Sequence, residues 1–154
     1  MAGFNNFIFL DTDVLINWLV HEKESRTDKP LWPSVEKILL NIQDKKLRGA
    51  TSILSIMEIR TFLGRETKAN KAYTEREVSK INSLLSILVP NDITILLANQ
   101  IQVKTGLTVI DAIQVAIVQE NLPSTLITRD NELLTTAKTF IPAATPEELL
   151  VILK

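Results

Sequence analysis

The chain has 154 residues and no cysteine, which excludes disulfides and thiolate metal sites and is compatible with the cytosol. Four glycines and six prolines are too few for a disordered or low-complexity linker. Histidine occurs once, at His21, amid charge at the end of an expected helix, a setting for an exposed polar role. Only two tryptophans are present, and Trp18 and Trp32 are expected in the core or an interface rather than as base-stacking platforms. Long hydrophobic runs are missing too. The longest, Ile81–Val89 and Ile93–Ala98, fall well below the ~20 residues that span a bilayer. No basic stretch precedes an apolar run near Met1, so neither a signal peptide nor a membrane association is expected. An excess of positive charge is also lacking. A net charge of −1 argues against a protein that coats nucleic acid, but not against one with a local acidic pocket and basic residues nearby.

What is present suits one domain with one sizeable core, with 45% hydrophobic and 23% charged residues. Phe7-Ile8-Phe9-Leu10 reads as a buried parallel strand, and Val14, Leu15, Trp18 and Leu19 then recur at helical spacing. Glu22 to Lys29 reads as a loop closed by Pro30 and Pro33, followed by a helix from Ser34 to about Leu47. Gly49 is expected to turn the chain into a second strand, Ala50–Leu54, with a helix starting at Ser55. Two polar helices are expected between Arg60 and Lys80, the second running on through Leu84, Leu85 and Leu88 until Pro90. Ile93–Thr105 is an amphipathic helix closed by Gly106, and Asp111–Asn121 an apolar helix stopped by Pro123. Thr125–Thr128 is a third strand, a short helix follows from Asn131 to Ala137, and Thr145-Pro146-Glu147-Glu148 is a capping box. Strands alternating with helices predict an α/β fold with a short parallel sheet, whose ligands bind beyond the carboxyl ends of the strands.

Four acids fall at such positions. Asp11 follows the first strand, Glu58 lies in the first turn after the second, Asp130 follows the third, and Asp111 opens the apolar helix before it. Each has a plain structural use. Asp11 or Asp13 can cap the first helix, Ser55 to Glu58 and Thr108 to Asp111 have capping-box spacing, and Asp130 can cap the helix at Asn131. Taken together they favour another reading. Asp111 stands between Val109-Ile110 and Ala112-Ile113, where an unpaired carboxylate is expensive, and only Lys104 and Arg129 are basic residues near it in sequence. Crowded carboxylates raise one another's pKa unless a cation sits between them. Oxygen-only ligands favour Mg²⁺ or Mn²⁺ over zinc.

At this point the chain resembles a known family. Phe9-Leu10-Asp11-Thr12-Asp13-Val14-Leu15-Ile16 is similar to the opening motif of PIN domains, and Ser55-Ile56-Met57-Glu58-Ile59 to their second. Val109-Ile110-Asp111-Ala112-Ile113-Gln114-Val115-Ala116 resembles the third motif, and Leu126-Ile127-Thr128-Arg129-Asp130 the fourth. The four occur in the family's order, from Phe9 to about Phe140, and the size is that of VapC-like toxins. One departure is the missing aromatic after the fourth acid, where Glu132 and Leu133 stand.

The resemblance implies a single PIN-like domain over residues 1–154, with about four to five parallel strands in an α/β/α sandwich. It also implies an endoribonuclease in which Asp11, Glu58, Asp111 and Asp130 bind Mg²⁺ or Mn²⁺, Asp130 either as a ligand or serving only a second ion or a water. Thr12, Asp13 and Thr128 would support the carboxylates from behind. Arg60, Arg65, Lys68 and Lys71 begin one helical turn after Glu58 and could track an RNA backbone, although each also suits a solvated helix face. A small antitoxin partner and a homodimer are implied by the same likeness. Two rivals stand beside this reading. Asp11-Thr12-Asp13 resembles the Asp-x-Asp of haloacid-dehalogenase-type phosphatases, which use the first aspartate as nucleophile, but no second late acid accompanies Asp130. A non-catalytic module that binds RNA or protein is the other.

Overall fold

Phe7–Leu10 forms the central strand β1, and its alternating side chains divide the core in two. Ile8 and Leu10 face one layer, with Val14, Ile38, Ile59 and Ile81, while Phe9 faces the other, with Ile101, Val115, Val118 and Leu133. A computed structural model describes residues 6–66, 71–122 and 124–154. After β1 come α1 (Thr12–Leu19), α2 (Trp32–Gln43), β2 (Arg48–Ser52), α3 (Ile53–Glu66), α4 (Lys71–Leu84) and β3 (Ser86–Leu88). The chain continues through α5 (Asp92–Thr105), α6 (Val109–Glu120), β4 (Thr125–Ile127), α7 (Asn131–Ala137), β5 (Ala143–Ala144) and α8 (Pro146–Ile152). The five strands pair in parallel in the order β3-β2-β1-β4-β5. The chain winds outward from β1 through β2 to β3, then returns to place β4 on the other side of β1. Connections leaving β1 and β4 therefore diverge to opposite faces, and a crevice opens between the carboxyl ends of these two strands.

The expected single α/β domain with a parallel sheet is what the chain forms, and several boundaries differ for physical reasons. Helix α2 starts at Trp32, with Pro33 inside its first turn, where a missing N–H costs nothing, and it ends at Gln43 rather than Leu47. Strand β2 lies two residues earlier than expected and contains Gly49 instead of being introduced by it. A Cβ at Gly49 would meet Ile42 Cδ1 at 2.5 Å and Leu85 Cδ2 at 2.6 Å, so this glycine admits two core side chains rather than making a turn. The helix through Leu88 is not formed. It stops at Leu84, and Ser86–Leu88 becomes the edge strand β3 paired with β2. The loop after α1 carries a bridge between Lys23 and Pro30, and its His21 is exposed and stacked on Trp32. Trp18 is half-buried, its indole N–H bonded to Glu36. Helix α5 ends at Gly106 with φ 72°, the left-handed closure that its position implied. Lys68, and the Pro123 expected to stop α6, lie outside the described residues. Among those residues no single helix is long and apolar enough to cross a membrane.

Candidate functional site

Asp11 is the first residue beyond β1, and the site is built outward from it. Its amide bonds to Ile127 O at the end of β4 (3.0 Å), which ties it to the crevice between the two strands. Its carboxylate is 7% exposed and accepts three bonds: Oδ1 from the Thr12 amide (2.8 Å) and Gln114 Nε2 (3.2 Å), and Oδ2 from the Thr128 hydroxyl (2.9 Å). Burial pushes the Asp11 carboxyl up, against those bonds, which pull it down. Thr128, expected as a supporting hydroxyl, touches Asp11 directly. Thr12 reaches Glu58 instead, its hydroxyl 2.7 Å from Oε1 and 2.9 Å from Ser55 Oγ.

Helix α3 begins at Ile53, so Glu58 stands in its second turn and not its first. The expected box between Ser55 and Glu58 is not made; the Ser55 amide bonds to the Ser52 hydroxyl (3.1 Å), leaving Glu58 exposed and turned to Thr12. Asp111 occupies the first turn of α6, with Thr108 capping its amide at 3.3 Å. It is half-buried rather than embedded, because Val109 beside it is itself largely exposed. Neither basic neighbour in sequence reaches it by an ion pair among the described residues. Burial and then the charges of Asp11, Asp130 and Glu58 raise the Asp111 carboxyl to about 6. That coupling brings all four predicted acids into one electrostatic neighbourhood at the sheet's carboxyl edge. Asp130 is exposed and also serves the structural use weighed for it, its Oδ1 accepting from the Leu133 amide at 3.0 Å to cap α7.

Asp13 faces the back of the site. Its carboxylate accepts from the Val14 amide (2.7 Å) and the Arg129 amide (3.0 Å), pinning α1 to the segment after β4. Burial, then the adjacent Asp11 charge, lift it to about 7. With both its oxygens on backbone amides and its side chain bonded to Asp11, Asp13 holds the scaffold behind that acid.

Among the described residues no three acids or histidines stand close enough together to hold an ion as they are. The donor chemistry nevertheless fits a hard divalent cation: oxygen ligands only, an Asp111 carboxyl raised by burial and by its acidic neighbours, and, among the described residues, no arginine or lysine ion-paired with the four acids. Glu58 is exposed in the second turn of α3 and Asp111 half-buried in the first turn of α6.

Of the basic residues, Arg60 is forked onto Glu75 of α4 at 2.8 and 3.3 Å, an exposed link between two helices. Lys71 is exposed at the start of α4, and its charge helps hold Glu75 below the usual carboxylate range, after the Arg60 bond. Arg65 belongs with the site: it lines a cleft of about 520 Å³ together with Thr12, Glu58, Met57, Phe62 and Ile110. A larger hollow of about 710 Å³ between α2 and α8 contains none of the four acids.

Sequence reasoning missed Gln114 and Ser55. Both are fully buried, and Gln114 Nε2 bonds to Ser55 Oγ at 2.8 Å. The signal was available, since Gln114 is a lone polar side chain in the apolar run Ala112–Val118, one helical turn after Asp111.

A doubly wound parallel sheet with an acidic cluster at its switch point defines the class. The family model of the PIN domain matches residues 8–139, and the chain belongs to that family. Solved structures agree in fold. A toxin–antitoxin complex from Klebsiella pneumoniae is 20% identical, with a TM-score of 0.63 over 90% of this chain and 97% of that one. PAE2754 from Pyrobaculum aerophilum is 25% identical, with a TM-score of 0.65 over 98% of both chains. VapBC-1 from nontypeable Haemophilus influenzae is 17% identical, with a TM-score of 0.63 over 92% and 98%. No curated protein matches the sequence.

Proposed function

We propose that this PIN domain is a metal-dependent endoribonuclease, and that it acts in the cytoplasm as the toxin of a type II toxin–antitoxin pair. The observation that carries the reading is the uncompensated cluster: the charges of Asp11, Asp130 and Glu58 all act on Asp111, and among the described residues no basic side chain forms an ion pair with the four acids. A bound Mg²⁺ or Mn²⁺ supplies an activated water and neutralises charge developing on the scissile phosphate. Asp11, Glu58 and Asp111 are the residues that would hold it, with Asp130 serving a second ion or orienting the attacking water. Thr128 and Gln114 orient the Asp11 carboxylate, and Thr12 orients Glu58. Arg65 sits where it can attract the phosphate chain into the cleft beside Glu58. Arg60, already engaged by Glu75, fits the role of a helix tie better than that of an RNA contact.

The likeness to toxin–antitoxin complexes supports a small protein partner that covers the acidic crevice when the enzyme is silent. A homodimer is supported by the exposed Ile93, Leu96 and Val103, which recur along one flank of α5.

The test is cleavage of a mixed RNA pool with Mg²⁺, Mn²⁺ or EDTA, comparing the wild type with Asp11→Asn. Metal-dependent cutting that disappears in the variant and in EDTA is the expected result. Equal behaviour of the two proteins, together with no Mn²⁺ binding by calorimetry, would replace the enzyme with a non-catalytic RNA- or protein-binding module.

A further inference from the structure

We infer that Gln114 is a positioning residue that fixes Asp11 and Glu58 relative to each other through a one-way chain of hydrogen bonds, an inference that rests on the metal-dependent reading. Four short contacts define the chain. Gln114 Nε2 lies 3.2 Å from Asp11 Oδ1 and 2.8 Å from Ser55 Oγ; Ser55 Oγ lies 2.9 Å from Thr12 Oγ1; and Thr12 Oγ1 lies 2.7 Å from Glu58 Oε1.

Proton counting gives these contacts a direction. A hydroxyl has one hydrogen, and an ionised carboxylate only accepts. The Thr12 hydrogen must therefore go to Glu58. With the Ser52 hydroxyl donating to Ser55 Oγ at 3.3 Å, Ser55 is left to donate to Thr12 and to accept from Gln114 as well. The two amide hydrogens of Gln114 are thus committed, one to Asp11 and one to Ser55. Turning the amide over would set its oxygen against a carboxylate oxygen and against a hydroxyl whose hydrogen is already used. The orientation that serves both acceptors has a visible cost: among the described residues Gln114 Oε1 is buried without a hydrogen-bond partner. A fully buried glutamine that leaves its carbonyl unpaired in an apolar helix is poorly explained by packing, since leucine or methionine would fill the volume without that cost. Its donors explain it. They tie the acid after β1 to the acid of α3 by a second route, beside Thr12, whose amide bonds to Asp11 and whose hydroxyl bonds to Glu58. Both acids can then meet one cation without having to be ordered by it.

The test compares Mn²⁺ affinity, by calorimetry, with metal-free melting temperature in the wild type and three variants. Gln114→Met keeps the volume and removes the donors, Ser55→Ala cuts the chain one bond further on, and Val118→Ala loosens the same helix away from the acids. The expected result is a roughly 10-fold or greater weakening of Mn²⁺ binding in Gln114→Met and in Ser55→Ala, as for other partners that orient metal ligands. Val118→Ala should melt earlier with its affinity intact. The double variant Gln114→Met/Ser55→Ala should lose no more affinity than the weaker single variant, because both break one chain. Should Gln114→Met fail to fold, the Ser55→Ala and Val118→Ala pair decides the question alone. Wild-type binding with Gln114→Met and Ser55→Ala both within about 2-fold of it would overturn the inference and leave the metal reading standing. Affinity losses that merely track melting temperature across all variants would overturn it too. Absence of Mn²⁺ binding by the wild type would overturn both.

Discussion

Thr128 and Arg129 are neighbours in the chain, yet they serve two polar networks that could hardly differ more. Thr128 turns its hydroxyl to Asp11 and belongs to a cluster of carboxylates. Arg129 points the other way and closes its charge completely. It donates to Asn17 Oδ1 (2.8 Å), Leu31 O (2.8 Å) and Ser34 Oγ (2.9 Å), and forks onto Glu147 at 2.8 Å. One guanidinium thereby joins α1, the start of α2 and the start of α8. Burial works against the Glu147 charge, but the bond and charge of Arg129, with the bonds from the Glu147 amide and Ser34, together outweigh it and hold that carboxyl below its ordinary range. On the Asp11 side every resolved shift is upward. The difference separates scaffold from chemistry. Where a fold uses buried polar groups for stability it pairs them; where it leaves like charges together at a switch point, something outside the chain is expected to complete them.

The largest effect should come from breaking the unbalanced side. Asp11→Asn should lower metal-dependent cleavage by roughly 10³-fold or more, beyond the ~10–100-fold typical of losing an outer partner. The same change should leave the metal-free protein at least as stable, because it removes a buried charge from among like charges. A variant that both melts much earlier and cuts no RNA would mean that Asp11 belongs to the scaffold.

The balanced side should respond in the opposite sense. Arg129→Met keeps much of the volume but strips donors from Asn17, Leu31 and Ser34 and leaves Glu147 unpaired. A loss of about 3 kcal/mol is expected, or roughly 6–12 °C in melting temperature for a chain of this size. Mn²⁺ affinity should change little, since the Arg129 amide that holds Asp13 is untouched. Equal damage to affinity and stability would merge the two networks into one.

How much of this was readable beforehand follows the same division. The strands β1 and β4 and the buried α6 announce themselves through apolar runs that no helix–turn pattern imitates. Gly106 and the reciprocal box of Thr145 and Glu148 close α5 and open α8 through purely local bonds. The sheet edges were illegible. Ser86-Ile87-Leu88 continues the leucine periodicity of α4, and only pairing with β2 makes it a strand; β5 is two alanines, with no pattern to read. Asp11, Asp111 and Asp130 could be placed because each follows a strand or opens a helix, whereas Glu58 lies one turn further into α3 than expected. Their hydrogen bonds could not be placed, since Gln114 meets Asp11 across 103 positions of sequence. Arg129 was noted only as a basic residue near Asp111 in sequence, and nothing local says that its side chain turns to Asn17 and Glu147.

The contrast is sharpened further by pH. Asp13 at about 7 and Asp111 at about 6 both lie above the ordinary 3.8, so the native protein keeps protons that the unfolded chain has released. Between those values the native state binds more protons, and stability must fall as pH rises. The metal-free protein should therefore melt higher near pH 5, inside that window, than near pH 7.5, roughly at its upper end. Saturating Mn²⁺ should reduce the difference by favouring the charged carboxylates. In Asp13→Asn the part of the slope nearest neutrality should disappear. A metal-free melting temperature that rises across the window would refute the assignment of raised carboxyls.

The smallest effect separates two arginines on one helix. Arg60 is spent on Glu75, whereas Arg65 lines the cleft with Glu58. Each lysine or arginine that neutralises a phosphate of a single strand contributes about 0.7 to the slope of log affinity against log salt. Binding of a single-stranded RNA to the Asp11→Asn protein, measured over a salt series, isolates that quantity from cleavage. Arg65→Ala should flatten the slope by about that amount and weaken binding to all sequences alike. Arg60→Ala should leave the slope unchanged, because its charge is balanced before RNA arrives. Equal flattening in both would show that RNA displaces Glu75 and that the phosphate path runs along the whole exposed face of α3. An unchanged slope in both would move the path off α3 altogether, leaving the cleft beside Glu58 for a protein partner.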